Sequence, residues 1–322
     1  MMLRIHTFLL RTSRLAFAAL FALHSGCSEP TPATPDPVPV DTTKVPISGD
    51  TLYLASRPTG VIADARLTEI SGIAASRLRG DVLWAHNDSG DKARLYAIDS
   101  TGRLIAVVNV NGAMAIDWED MASAKIDGIP RLYIADVGDN GATRQTVTVY
   151  RCTEPAVDPA APESVYTVGA ERMHLRYPDG ARDSEALFVD PVGEILYLIA
   201  KSGEESCGVY RAPWKAGDTT IVLEAVGVLR IPSPFSPLRL VTAADLAADR
   251  SAVLLRTYAA LYEYRGIGSP LQLLQSTPRA VHGAPVQPQA EAVCYDKDSR
   301  GIFLATEGNA LPLQYMTRRP GR

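Results

Sequence analysis

Residues Ile116–Asn140, IDWEDMASAKIDGIPRLYIADVGDN, read as an acidic turn, a β-strand, a short turn, a second strand and another acidic loop. Four more copies of this skeleton lie along the chain: LTEISGIAASRLRGDVLWAHNDSGD from Leu67, DSEALFVDPVGEILYLIAKSGE from Asp183, TAADLAADRSAVLLRTYAALYEY from Thr242 and QAEAVCYDKDSRGIFLATEGN from Gln289. Self-similarity of this kind marks a repeat architecture. The acidic anchors Glu69, Glu119, Glu185, Asp245 and Glu291 recur at a spacing that holds four short strands and their loops, the size of a propeller blade. The expected fold is therefore all-β: a β-propeller of five blades with four antiparallel strands each. Six blades is the alternative, if Pro155–Arg182 or Pro232–Thr242 hides a degenerate one.

The second strands, VLWAHND, RLYIADVGD, ILYLIAK, AVLLRTY and GIFLATE, are continuous apolar runs, as strands covered on both faces should be. The third strands, RLYAID, TVTVYR, GVYRAP and ALYEYR, each carry an aromatic residue, and no amphipathic helix stands out between them. The last repeat runs out of chain with three strands, so an N-terminal strand at Leu52–Ser56 is expected to close the ring and remove its free edges.

The chain has 322 residues, 46% hydrophobic, with a mean hydropathy of +0.00. Its formal charge is −4, and no basic patch points to nucleic acid. Met1–Gly26 holds Arg4, Arg11 and Arg14 and then the apolar run Leu15–Leu23, too short to span a bilayer at roughly 20 residues. We read residues 1–26 as an export signal, with Cys27 as the lipid attachment site of a lipoprotein box. Residues 27–47 are a proline-rich tether. Residues 48–322 form the propeller domain of an envelope-anchored, monomeric protein. Cys152, Cys207 and Cys294 fall in three different repeats with no metal spacing, and are expected to be unpaired thiols.

In a blade whose first strand lines the channel, the loop into that strand and the loop between strands two and three share one face. The five anchors would thus converge on one channel mouth. Asn87, Asp88, Asp91, Asp136, Asp139, Asn140, Lys201, Arg256, Glu307 and Asn309 would ring it outside. Crowded carboxylates either raise their pKa or recruit a cation. Oxygen-rich, histidine-poor loops favour Ca²⁺, with Glu69, Glu119, Asp139, Asn140, Glu185 and Glu291 as candidate ligands. Glu69, Asn87, Asp88, Glu185, Asp245 and Glu307 are candidate contacts to a small or anionic ligand. Turn chemistry and backbone capping are the alternative explanation for these acids.

Lys201 and Arg256 stand where other repeats have acids, which suits an anionic substrate or a carbonyl oxygen that becomes charged. They could equally pair with Glu185 and Asp245. As an enzyme the protein would be a metal-dependent ester hydrolase using Glu119, Lys201 and Arg256. As a noncatalytic protein it would bind a small molecule, glycan or protein partner at the same mouth. Trp84 and Trp118 suit sugar stacking or packing between blades.

The combination TEISGIA, AHNDSG, DWEDMA, YIADVGDN, YRCTEP, DSEALFVD, LYLIAK and QAEAVCYD resembles bacterial exported WD40-like, phytase-like and SdiA-regulated propellers over Leu52–Met316. More distantly it is similar to gluconolactonase and paraoxonase propellers. That resemblance implies a divalent ion at channel-facing acids, matched here by Glu69, Glu119, Glu185 and Glu291, with Asp139 or Asn140 as further ligands. The chain lacks the paired inner asparagines of the lactonases and the dense basic cluster a highly phosphorylated substrate needs.

Overall fold

The computed structural model describes residues 52–320 apart from Pro232 and Pro234; the signal, Cys27 and tether lie outside the described residues. In chain order β1 (Arg57–Ile62) precedes a meander of β2 (Ile70–Ala75), β3 (Val82–Asn87), β4 (Arg94–Asp99) and β5 (Leu104–Asn111). A second meander comprises β6 (Trp118–Ile126), β7 (Ile129–Asp136), β8 (Val147–Thr153) and β9 (Ser164–Arg176). Next come β10 (Ser184–Asp190), β11 (Ile195–Ala200), β12 (Ser206–Pro213), β13 (Gly217–Val222) and β14 (Glu224–Arg230). They are followed by β15 (Val241–Leu246), β16 (Ala252–Thr257), β17 (Leu261–Arg265), the one-turn helix α1 (Pro270–Leu274) and β18 (Arg279–Ala280). The last are β19 (Ala292–Tyr295), β20 (Gly301–Ala305) and β21 (Leu311–Thr317).

The sheets are antiparallel and four-stranded: β10-β11-β12-β14, β15-β16-β17-β18 and β19-β20-β21-β1 stand alone. The first two meanders are stitched together, because the long β9 runs parallel to β5 through its first half and antiparallel to β8 through its second. Pro155–Arg182 therefore supplies an outer strand, and the described residues of Pro232–Thr242 hold a 3-10 turn at Ser236–Leu238 and then the first residues of β15. The N-terminal strand sits beyond Leu52–Ser56. It is Arg57–Ile62 that pairs with β21, while the LYLAS stretch makes one bridge, Tyr53 to Arg318, further along the same edge.

First strands pack against one another in succession, β2 on β6, β6 on β10, β10 on β15, β15 on β19 and β19 on β2. Each pair of neighbouring sheets encloses its own apolar layer. Trp84 and Trp118 share the one between the first two meanders, and Phe188, Tyr197 and Tyr264 another. Burial on both faces is what the unbroken apolar second strands require. The arrangement is a propeller-like all-β fold. Cys152, Cys207 and Cys294 are buried free thiols, packed as small apolar side chains.

One irregularity repeats and makes the site. The ladder slips between Ile70 and Gly72, Trp118 and Met121, Ser184 and Ala186, and Val241 and Ala243. Four of the five first strands thus carry a bulge at their start. A bulge leaves one residue outside the pairing and re-aims its side chain.

Candidate metal centre

The bulge puts Ser71, Glu119, Glu185 and Thr242 in equivalent places, and Glu291, just before β19, completes the series. The residue two positions earlier is Glu69, Asp117, Asp183, Leu240 or Gln289. Its backbone carbonyl receives an N–H from the end of the second strand for four of these: Asp88 to Glu69, Gly138 to Asp117, Lys201 to Asp183 and Glu307 to Gln289.

Glu69 and Asp245 therefore leave the inner acidic ring expected from sequence. Glu69 is exposed and shares the ring position of Asp117 and Asp183. Asp245 lies three residues past Thr242, buried between first strands, where its two oxygens accept the Leu246 and Tyr295 N–H groups. Three glutamates occupy the inner position, because a bulge accepts serine or threonine as readily as glutamate.

Asp88, Asp117 and Glu119 each offer a carboxylate oxygen within 4.8 Å of the others, and so do Glu119, Asp183 and Glu185. Glu119 joins the two groups. Asp117 and Asp183 were not among the sequence candidates. Their signal was there, since DWE and DSE place two acids at i and i+2, the spacing that puts both on one face of a strand.

The carboxylates crowd. Burial, then Glu185, Asp88, Asp117 and Asp183, push Glu119 up to about 11. Burial and Asp117 raise Asp88 to about 7. Burial raises Glu185 to about 8 against the pull of Lys201. On the far side, burial and Glu307 raise Glu291 to about 9, and the Tyr258 hydroxyl donates to it at 3.0 Å. Ser71 Oγ donates to Glu119 Oε2 at 3.4 Å. Glu185 Oε2 and Asp88 Oδ1 are buried atoms with no partner.

Lys201 and Arg256 are not equivalent. Lys201 ends the second strand beside the acids, with its ammonium on Glu185 Oε1 and 3.2 Å from the Tyr258 hydroxyl. Burial opposes its charge, but Glu185 and Tyr258 outweigh that and hold the ammonium above its ordinary value. Tyr258, not Arg256, fills the matching place in the fourth repeat. Arg256 is turned inward and buried, donating to the carbonyls of Ala292 and Ala305, with no bond to Asp245. Burial lowers it to about 9, so it stays charged at neutral pH.

Other candidates are held by local structure. Asn87 takes the Glu69 N–H on Oδ1 and gives its amide protons to the Arg66 carbonyl and Asp91. Asp91 also accepts the Tyr96 hydroxyl and pairs with Arg94. Asp139 is consumed by the Thr143 and Arg144 N–H groups, and Asp136 pairs with Arg144. Asn140 and Asn309 are exposed. Glu307 is half-buried and receives the Gln289 amide at 3.3 Å. His86 is buried behind the mouth at the edge of Trp118, with burial pushing it down to about 4. Trp84 and Trp118 are fully buried, their indole N–H groups given to Glu154 and to the Met114 carbonyl. They are interior packing and offer no sugar a face.

The site thus defined is a half-buried to buried all-carboxylate cluster that could hold a metal ion, at the entry of the first strands. The chain matches no protein-family model and no curated protein. Among solved structures it is similar to a gluconolactonase from Xanthomonas campestris (12% identity, TM-score 0.44, 82% of this chain and 89% of that one). It is similar to a PQQ-bound aldose sugar dehydrogenase from Streptomyces coelicolor (12%, 0.45, 82% and 98%) and to the WD40 repeats of RRP9 (8%, 0.44, 83% and 100%). The activities of those proteins are not transferred to this chain.

Proposed function

We propose that this chain is an exported, lipid-anchored, monomeric five-bladed propeller whose acidic mouth holds Ca²⁺ and with it binds a small or anionic ligand. The succession of first-strand contacts and the seating of β1 on β21 support a ring fastened by its N-terminal strand. The observation that carries the site is that two adjoining carboxylate triads, Asp88–Asp117–Glu119 and Glu119–Asp183–Glu185, meet at Glu119, while Glu185 Oε2 is buried without a partner.

The donors fit the ion. All are hard oxygens, and Ca²⁺ accepts about 6–8 of them from carboxylates, carbonyls and water. Gly138 closes over the cluster so tightly that a Cβ there would overlap Glu119 Oε1 and fall 2.5 Å from Asp117 Oδ2. Asp88, Asp117, Glu119, Asp183 and Glu185 would hold the ion. Lys201 stands beside it as a donor to an anion. Calorimetric titration with Ca²⁺ should show one site per chain, weakened at least about tenfold, or about 1.4 kcal/mol, in Glu119→Gln. An unchanged titration in that variant would remove the ion from this mouth. Export and anchoring are tested by Cys27→Ala, which should move the protein from the membrane to the soluble fraction.

Lys201 favours a second reading, hydrolysis of a phosphoester or lactone. A bound divalent ion would polarise the ester oxygen; Lys201 would stabilise the charge that develops there, and Glu119 would exchange a proton with the reacting group. Screening phosphoesters and lactones with the wild type and Lys201→Met decides it. A turnover lost in the variant supports hydrolysis, and no turnover of any ester leaves binding alone.

A further inference from the structure

At the opposite end of the same first strands the chemistry reverses. Ser123–Lys125 near the end of β6, Val189 and Pro191 at β10, Leu246–Ala248 at β15, Arg77 after β2, and Lys297 and Asp298 after β19 line a cavity of about 300 Å³. It lies one strand length from the acidic mouth, roughly 20 Å for six residues. Of its charged groups three are cations and one, Asp298, is an exposed anion.

Arg77 is the anchor. Its side chain is only 8% exposed, Nε donates to the Ser123 carbonyl at 3.0 Å, and Nη1 is buried with no partner. Asp245 is an interior acid that feels the Arg77 charge, but it makes no hydrogen bond to Arg77; its two oxygens accept the Leu246 and Tyr295 N–H groups. A buried guanidinium with an unpaired N–H is under-satisfied, and a ligand oxygen meeting the Arg77 guanidinium from the cavity would offset that deficit. Lys125 and Lys297 add charge, and Lys297 is positioned by donating to the Leu78 carbonyl at 3.2 Å. The remaining wall, Ala124, Val189, Pro191, Leu246 and Ala247, is apolar.

We infer that this cavity is a second binding site, for a small organic acid whose carboxylate meets Arg77 and whose hydrocarbon body lies along the apolar wall. Its volume is at the small end of ligand pockets. The site is independent of the acidic mouth and of any cation there.

The test is calorimetric titration of the protein with hexanoate and, separately, with inorganic phosphate. Hexanoate should bind one per chain, and at least about tenfold more tightly than phosphate. Arg77→Gln should lose that binding. Because it also loses the bond to Ser123, Ala248→Trp is the decisive variant: Ala248 is exposed at the rim, and an indole there would fill the cavity while leaving Arg77 in place. Loss of hexanoate binding in Ala248→Trp, with its circular dichroism unchanged, supports the site. Three results overturn it: wild type that binds no hexanoate, Ala248→Trp that binds it as wild type does, or phosphate bound as tightly as hexanoate.

Discussion

Two groups of buried carboxylates lie along the same first strands and have opposite standing. Asp120, on β6, is completely buried, yet Oδ1 accepts the Met121 N–H and Oδ2 accepts those of Leu187 and Ala244. Asp245 is satisfied in the same way by Leu246 and Tyr295. Glu119, one position before Asp120, has a single long bond from Ser71, and Glu185, at the equivalent bulge of β10, leans on Lys201 with its other oxygen bare. Burial is therefore not what singles out the mouth. The interior acids are cross-braces between first strands; the mouth acids are held together with too few donors, and that deficit is what a cation would fill.

The comparison can be broken by substitutions at neighbouring residues. Asp120→Ala should be the most damaging change, leaving three backbone N–H groups unpaired in the interior and costing about 3 kcal/mol or more in urea unfolding. Glu119→Gln, one residue away, should leave the cation-free protein at pH 8 about as stable as wild type, because Glu119, raised to about 11 by burial and its acidic neighbours, is already neutral there and glutamine is close to its protonated form in shape. Equal losses at the two positions would mean that the mouth acids are also braces.

A pH series is the next largest effect. Glu119, Glu185, Glu291 and Asp88 have folded pKa values raised above those of the unfolded chain. Between about pH 4 and those raised values the folded state binds protons that the unfolded state has released, so stability falls as pH rises. The melting temperature of the cation-free protein should drop by roughly 5–10 °C between pH 5 and 9, at about 2–4 °C per kcal/mol for a domain this large. Millimolar Ca²⁺ should restore it, and more fully at pH 9 than at pH 5. A melting temperature flat in pH would show that the crowding is relieved without an ion.

Lys201→Met should cost about 2 kcal/mol at pH 8, because it strands the Glu185 carboxylate. At pH 5, where Glu185 takes up a proton, most of that cost should disappear. Gly138→Ala should cost about 1 kcal/mol and abolish Ca²⁺ uptake, since the added methyl would displace Glu119 and Asp117. Smallest of all, Glu69→Gln should change stability by less than about 0.5 kcal/mol and leave the Ca²⁺ titration untouched, as that side chain is exposed and outside the cluster.

Much of the fold was legible in the sequence. The second strands announced themselves as apolar runs because both faces are covered, and RLYAID became β4 residue for residue. The site was legible only in part. Glu119, Glu185 and Glu291 were placed correctly at the entry of their strands, whereas Glu69 fell two residues short of the bulge and Asp245 three beyond it. In a strand such slips change what a side chain faces, and a bulge adds a residue that a simple alternation does not count. Arg256 lies two residues before Tyr258, the counterpart of Lys201, within the paired part of β16, where it is buried and donates to the Ala292 and Ala305 carbonyls.

The sequence by itself determined the repeat, the strand order within it and the concentration of acids at strand entries, because hydrophobic alternation and turn chemistry are local. Only the tertiary structure decided which acids share a volume. Asp88, Asp117 and Glu119, and Glu119, Asp183 and Glu185, are triads drawn from three repeats and joined at Glu119, and their meeting depends on bulge register and on β2, β6 and β10 packing in succession. The Arg77 cavity is wholly of that second kind, since its walls come from the far ends of five strands and no single repeat holds a trace of it.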